Sequence, residues 1–181
     1  MKYKSCGIPG LKYYQPTIHD DSRGYFFEAF NERNFENEIG REVNFVQDNV
    51  SNSSKNCLRG LHYQLRKPQG KLIYVTEGEI FDVAVDLRIG SPSFGQWFSI
   101  NISKQNKIVF WVPEGFAHGF LALSDHVNVI YKVTDYYAAS DEHCLRWDDP
   151  QININWPLTG QPTISEKDGK GRYFGELPYF N

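Results

Sequence analysis

Three side chains are of the types that proton transfer beside a carbonyl requires: a histidine within Leu58-Arg59-Gly60-Leu61-His62-Tyr63-Gln64, a lysine in Gln69-Gly70-Lys71-Leu72, and a tyrosine in Tyr131-Lys132-Val133-Thr134. Such a reaction needs a base to take the proton, a group to stabilise the enolate oxygen, and an acid to return a proton to the other face. An imidazole accepts a proton near neutral pH without extreme tuning, which makes His62 the natural base. On a strand its same-face neighbours are Gly60 and Gln64, small and polar, which is not the setting of an apolar core. Lys71 shares a face with Ile73 and Val75, so regular alternation turns it inward, where a buried ammonium needs a partner. Each also has a bland alternative: a hydrogen-bonded histidine, a strand-end lysine reaching solvent, and a core tyrosine with a tethered hydroxyl. Arg23 and Arg59 add guanidinium forks, which suit phosphate better than ammonium groups do. Parity puts Arg59 and His62 on opposite faces of an ideal strand, so either Gly60 marks a bulge or Arg59 lies before the strand begins.

The elements that must position these groups read as strands. From Lys71 onward, turn residues recur at Thr76-Glu77-Gly78-Glu79, Arg88-Ile89-Gly90-Ser91-Pro92, Ser103-Lys104-Gln105-Asn106, Pro113-Glu114-Gly115 and Ser124-Asp125-His126. In Phe81-Asp82-Val83-Ala84-Val85-Asp86-Leu87 the odd positions are apolar and two even positions are acidic, which predicts a strand with one buried and one wetter face. Val127, Val129, Tyr131 and Val133 share a face, which places the Tyr131 ring inside. Asn31 to Ile39 is the best helix candidate, with Gly40 as its C′ residue. Many short strands, little helix and an aromatic tail after Trp156-Pro157 predict an all-β jelly-roll sandwich.

The 181 residues and the lack of any composition break predict a single domain over 1–181. A formal charge of −3 gives no general attraction to nucleic acid or to an anionic membrane, so a small partner is expected. Cys6, Cys57 and Cys144 are odd in number and widely separated, which argues against a disulfide framework or a zinc knuckle and for reduced thiols in a cytoplasm. Met1 to Tyr14 lacks the apolar stretch of a signal peptide, and no run approaches the ~20 apolar residues of a membrane span.

Taken in order, Asp21-Ser22-Arg23-Gly24, Phe27-Glu28, the strings around His62 and Lys71, and Pro113-Glu114-Gly115-Phe116-Ala117-His118-Gly119-Phe120 resemble the dTDP-4-dehydrorhamnose 3,5-epimerases, from Gly7 to about Leu177. The resemblance implies a cupin-type jelly-roll sandwich or barrel with a few short helices, working as an isomerase in dTDP-L-rhamnose biosynthesis for O-antigen or cell-wall polysaccharide. The implied substrate is a dTDP-linked 4-keto-6-deoxy sugar, inverted at two carbons without a cofactor in a cytoplasmic homodimer. It assigns His62 as base, Asp168 in Ser165-Glu166-Lys167-Asp168 as its acidic partner, Lys71 at the enolate oxygen and Tyr131 as the returning acid. An aspartate in that pairing fixes the imidazole tautomer and stabilises the imidazolium. The resemblance further places Gln47, Asn49 and Arg59 on the diphosphate, Glu28 on the base, Tyr137 stacked near it and His118 on the sugar. Glu142 and Lys167 match substrate-contact positions, and Arg23 with Phe26 reaches in from the second subunit.

Many cupins hold a metal through a His-x-His pair, a carboxylate and a later histidine. Here Gln64 stands where the second histidine would be, leaving His62 and His118 short of the usual three or four ligands, so no metal is expected. Three other readings stay open: an epimerase inverting only C3 or C5 or acting on a related dTDP- or CDP-linked sugar, a metal-dependent cupin enzyme, and a sugar-nucleotide binding module without catalysis.

Overall fold

The two-residue alternation and the punctuating turns produce short antiparallel strands in the computed structural model, which describes residues 3–181. Met1 and Lys2, the start of the stretch read above for a signal peptide, lie outside the described residues. In chain order the elements are β1 (Lys4–Ser5), β2 (Lys12–Tyr14), β3 (His19–Asp21), β4 (Gly24–Phe26), α1 (Glu32–Ile39), β5 (Gln47–Ser53), β6 (Leu58–Gln64), β7 (Lys71–Glu77), β8 (Glu79–Asp86), β9 (Trp97–Ser103), β10 (Val109–Val112), β11 (Phe116–Ala122), β12 (Val127–Val133), β13 (Glu142–Cys144) and α2 (Glu166–Gly169). One sheet runs β1-β2-β10-β7-β12-β5, a second runs β13-β6-β11-β8-β9, and β3 with β4 forms a separate hairpin. All strand pairings within these sheets are antiparallel, the arrangement expected of a jelly-roll sandwich.

Three apolar clusters make the protein four layers thick. Ile73, Val75, Ala84, Ile102, Phe110, Phe120, Val127 and Val129 fill the space between the two large sheets. The outer face of the five-stranded sheet, through Leu58, Leu61, Tyr63, Val83, Val85 and Leu121, is covered by Leu145, Ile152, Trp156, Phe174 and Leu177 of the C-terminal segment. On the opposite side Leu72, Val109 and Trp111 lie against Phe35 of α1, together with Tyr3, Tyr14 and Val43. Strands covered on both faces carry apolar residues on both.

This layering corrects one expectation. The acidic face of the 81–87 strand is not wetter: Asp82 and Asp86 are fully buried, because that face looks into the sandwich while Val83, Val85 and Leu87 pack outward under the C-terminal segment. Asp86 is satisfied there by Arg88, Ser91 and Ser93. The helix follows its sequence signals. Asn31 stands as the N-cap, accepting from the Asn34 N–H, and Gly40 adopts the left-handed conformation that closes the C-terminus. Phe35 is its fully buried anchor, and truncating such a residue to alanine costs about 3–5 kcal/mol.

Candidate active site

The two sheets separate at one end around a cavity of about 660 Å³, within the usual range for a small-ligand site. Each wall is built by strand alternation. Gln47, Asn49 and Ser51 of β5, Lys71 of β7 and Tyr131 of β12 come from the six-stranded sheet. Arg59, His62 and Gln64 of β6 and His118 of β11 come from the other.

Arg59 and His62 reach the same cavity because β6 bulges. Its pairing with β11 slips one residue between His118↔His62 and Phe120↔Arg59, which answers the parity question in favour of a bulge at Gly60. Gly60 has φ of +106°, and a Cβ there would stand 2.6 Å from the His118 carbonyl oxygen and 2.7 Å from the Gly119 Cα. A side chain at this position would push the two strands apart.

His62 Nε2 lies 2.5 Å from Asp168 Oδ1. The half-buried imidazole faces a carboxylate that is itself buried and fixed by α2, where Ser165 caps the helix by accepting from the Asp168 N–H. Burial pushes the Asp168 carboxyl up, but the hydrogen bond and charge of His62 with the other local hydrogen bonds outweigh it, and the group is held below the usual carboxylate range. An ionised carboxylate only accepts, so Nε2 carries a proton and Nδ1 is left as the basic nitrogen.

Lys71 is buried at 7% exposure, on the same face as Ile73 and Val75 as alternation predicts. Desolvation lowers its ammonium to about 8, with Glu114 and Asp82 pulling it back up. Tyr131 packs against the inter-sheet core while lining the cavity, and burial raises its phenol, so it stays protonated and able to donate. His118 Nε2 faces both oxygens of Asp82, at 2.8 and 3.0 Å. Burial raises the Asp82 carboxyl; the adjacent His118 and Lys71 oppose that rise.

At the mouth, Lys167 pairs with Glu142, which also accepts from the Tyr137 hydroxyl at 2.9 Å. Gln47 donates to Asn49 at 2.7 Å, and Arg59 donates to Ser53 and to the Asn52 carbonyl, both at 2.9 Å. Eleven of the fourteen expected site residues therefore line one cavity. Arg23, Phe26 and Glu28 do not. Arg23 pairs with Asp21 on the exposed β3–β4 hairpin, Phe26 is 71% exposed, and Glu28 accepts from Asn31 at the start of α1.

Two contributors escaped the sequence reading. Asp82, the buried partner of His118, was visible as an acid at an alternation-matched position but was placed on the wrong side of its sheet. Ser51, whose buried Oγ has no hydrogen-bond partner among the described residues, had no distinguishing signal. Gln64 spends its amide on Lys67 O, Tyr136 O and the Ala138 N–H, and His118 is turned to Asp82.

The family model described as dTDP-4-dehydrorhamnose 3,5-epimerase matches residues 5–176. A curated protein named dTDP-4-dehydrorhamnose 3,5-epimerase from Pseudomonas aeruginosa is 49% identical over 180 residues, 99% of this chain and 99% of that protein. The crystal structure of the dTDP-6-deoxy-D-glucose-3,5-epimerase of Legionella pneumophila, in complex with dTDP-4-keto-L-rhamnose, superposes with a TM-score of 0.95 at 46% identity, covering 98% of this chain and 94% of that one. The 3′-monoepimerase ChmJ of Streptomyces bikiniensis, solved with dTDP-quinovose, reaches a TM-score of 0.88 at 33% identity over 92% of this chain and 85% of that one.

Proposed function

Because this chain belongs to the dTDP-4-dehydrorhamnose 3,5-epimerase family, we propose that it is an isomerase of dTDP-L-rhamnose synthesis that inverts C3 and C5 of dTDP-4-dehydro-6-deoxy-D-glucose. The observation that carries this reading is the placement of the His62–Asp168 pair and of Lys71 with Tyr131 on opposite walls of one cavity.

His62 Nδ1 takes the proton from the carbon next to the C4 ketone, and Asp168 stabilises the imidazolium that results. The electron pair moves onto the C4 oxygen, where the Lys71 ammonium compensates it in a desolvated site. Tyr131, on the opposite sheet, gives a proton to the other face of the same carbon. Proton exchange with solvent returns His62 to the neutral base and Tyr131 to the phenol, and the same cycle at the second carbon yields dTDP-4-dehydro-L-rhamnose. Arg59, Gln47 and Asn49 hold the diphosphate, His118 contacts the sugar, Tyr137 stacks on the base, and Lys167 with Glu142 borders the nucleotide end.

The working unit is a homodimer in the cytoplasm, in which the hairpin of one subunit brings Arg23 and Phe26 to its neighbour's site and Glu28 meets the base. Support comes from the 71% exposure of Phe26 on that hairpin and from Val50, also 71% exposed, on β5 at the open edge of the six-stranded sheet. Among the described residues no helix is long and apolar enough to cross a membrane.

The test is turnover of dTDP-4-dehydro-6-deoxy-D-glucose, with the product trapped by a 4-keto reductase and its configuration read by NMR. An L-lyxo product supports the reading. A product inverted at one carbon makes the protein a mono-epimerase, the activity named for the less similar ChmJ, and no product overturns the assignment.

A further inference from the structure

Cys144 takes no part in the mechanism above, yet it sits beside the base. In the β13–β6 register Cys144 is directly opposite His62, so thiol and imidazole leave the sheet on the same face. The α2 cap brings Asp168 to the same point. A ring nitrogen of His62, the Cys144 Sγ and an Asp168 oxygen all lie within 4.8 Å of one another. The thiol itself has only long contacts, 3.7 Å to the Leu145 carbonyl and 4.0 Å to Asp168 Oδ1. An imidazole, a thiol and a carboxylate converging from three elements form the donor set of a borderline-soft divalent ion. His62 and Asp168 line the sugar cavity. Cys144 lines an adjoining depression with His143, Ser165 and Arg172, whose other cations, Lys167 and Lys170, are paired with Glu142 and Glu166.

We propose that a divalent cation of the zinc class binds across His62, Cys144 and Asp168 and holds the enzyme inactive. The ion forms bonds to the sulfur, the nitrogen and a carboxylate oxygen, the thiol proton passes to solvent, the Nε2 proton moves to Nδ1, and no electron is transferred. The His62–Asp168 hydrogen bond is broken, and an imidazole bound through Nε2 with its proton on Nδ1 has no nitrogen left to act as base. Binding stands on the geometry alone, while the loss of turnover rests on His62 being the base.

Cobalt(II) reports both the ligand type and the site. Titrated into the full protein, it should produce a near-ultraviolet sulfur-to-metal charge-transfer band that is kept by C57S, lost in both C144S and C144A, and displaced by zinc. Zinc should stop turnover reversibly to chelator, and C144S, turning over normally without metal, should need about tenfold more zinc for the same inhibition. The absence of a band, or a band that survives in C144S and C144A, overturns the site. A band with turnover unchanged overturns the inhibition. The cobalt spectrum decides the site even if the dTDP sugar proves not to be the substrate.

Discussion

Replacing Lys71 by Met should make the protein more stable and nearly inactive. The ammonium is buried, and desolvation brings its pKa from 10.5 to about 8 against the opposing pull of Glu114 and Asp82. The difference between those values corresponds to roughly 3 kcal/mol by which the charged lysine destabilises the folded protein at neutral pH. Methionine fills similar space without a charge, and at about 2–4 °C per kcal/mol for a chain of this length the thermal midpoint should rise by roughly 6–12 °C. The pH dependence carries the same signature. Above the folded value of about 8 and below the unfolded 10.5 the unfolded chain binds more protons, so wild-type stability rises with pH across that window, and the variant should lose this rise. Turnover should fall about 10²–10³-fold, because the enolate oxygen loses its compensating charge. The assay is denaturation at fixed protein concentration at pH 7 and pH 10, alongside steady-state kinetics. A variant less stable than wild type at pH 7 refutes the desolvation reasoning, and a kcat within a few-fold of wild type refutes the role at the oxyanion.

His62→Asn should keep the circular dichroism spectrum and lower kcat by about 10²–10⁴-fold, with near-normal turnover excluding His62 as the base. Tyr131→Phe should let solvent deuterium exchange with substrate persist while delivery at one carbon falls more than at the other; equal, small changes at both would reduce Tyr131 to a packing role. Arg23→Ala and His62→Asn should each be deficient alone, but after mixed refolding about a quarter of the sites should be intact if Arg23 serves its neighbour. No recovery in heterodimers isolated from that mixture would place Arg23 outside the shared site.

What could be read from the chain was whatever alternation and turn chemistry control locally. The inward faces of Lys71 and Tyr131 and the cap at Gly40 follow from neighbours a few residues away, and the structure keeps them. The layer outside each sheet was not legible in the same way. Nothing near Asp82 or Asp86 says that the C-terminal segment covers the opposite face of their strand, and that long-range packing turns an acidic stripe inward. The Gly60 bulge was visible only as a parity conflict between Arg59 and His62, because the close approach of Gly119 that settles it comes from a strand nearly sixty residues later. Likewise, the adjacency of Asp168 to His62 depends on α2, far along the chain, and only the family resemblance pointed to it.

Solvent-derived label in the sugar tests the central claim most directly. The protein should be incubated with dTDP-4-dehydro-6-deoxy-D-glucose in deuterated water and the sugar examined by NMR. Deuterium at both C3 and C5, lost at both in His62→Asn, is the predicted result. Label at one carbon alone, or label at both that persists undiminished without the His62 imidazole, would contradict a double epimerase working through this base.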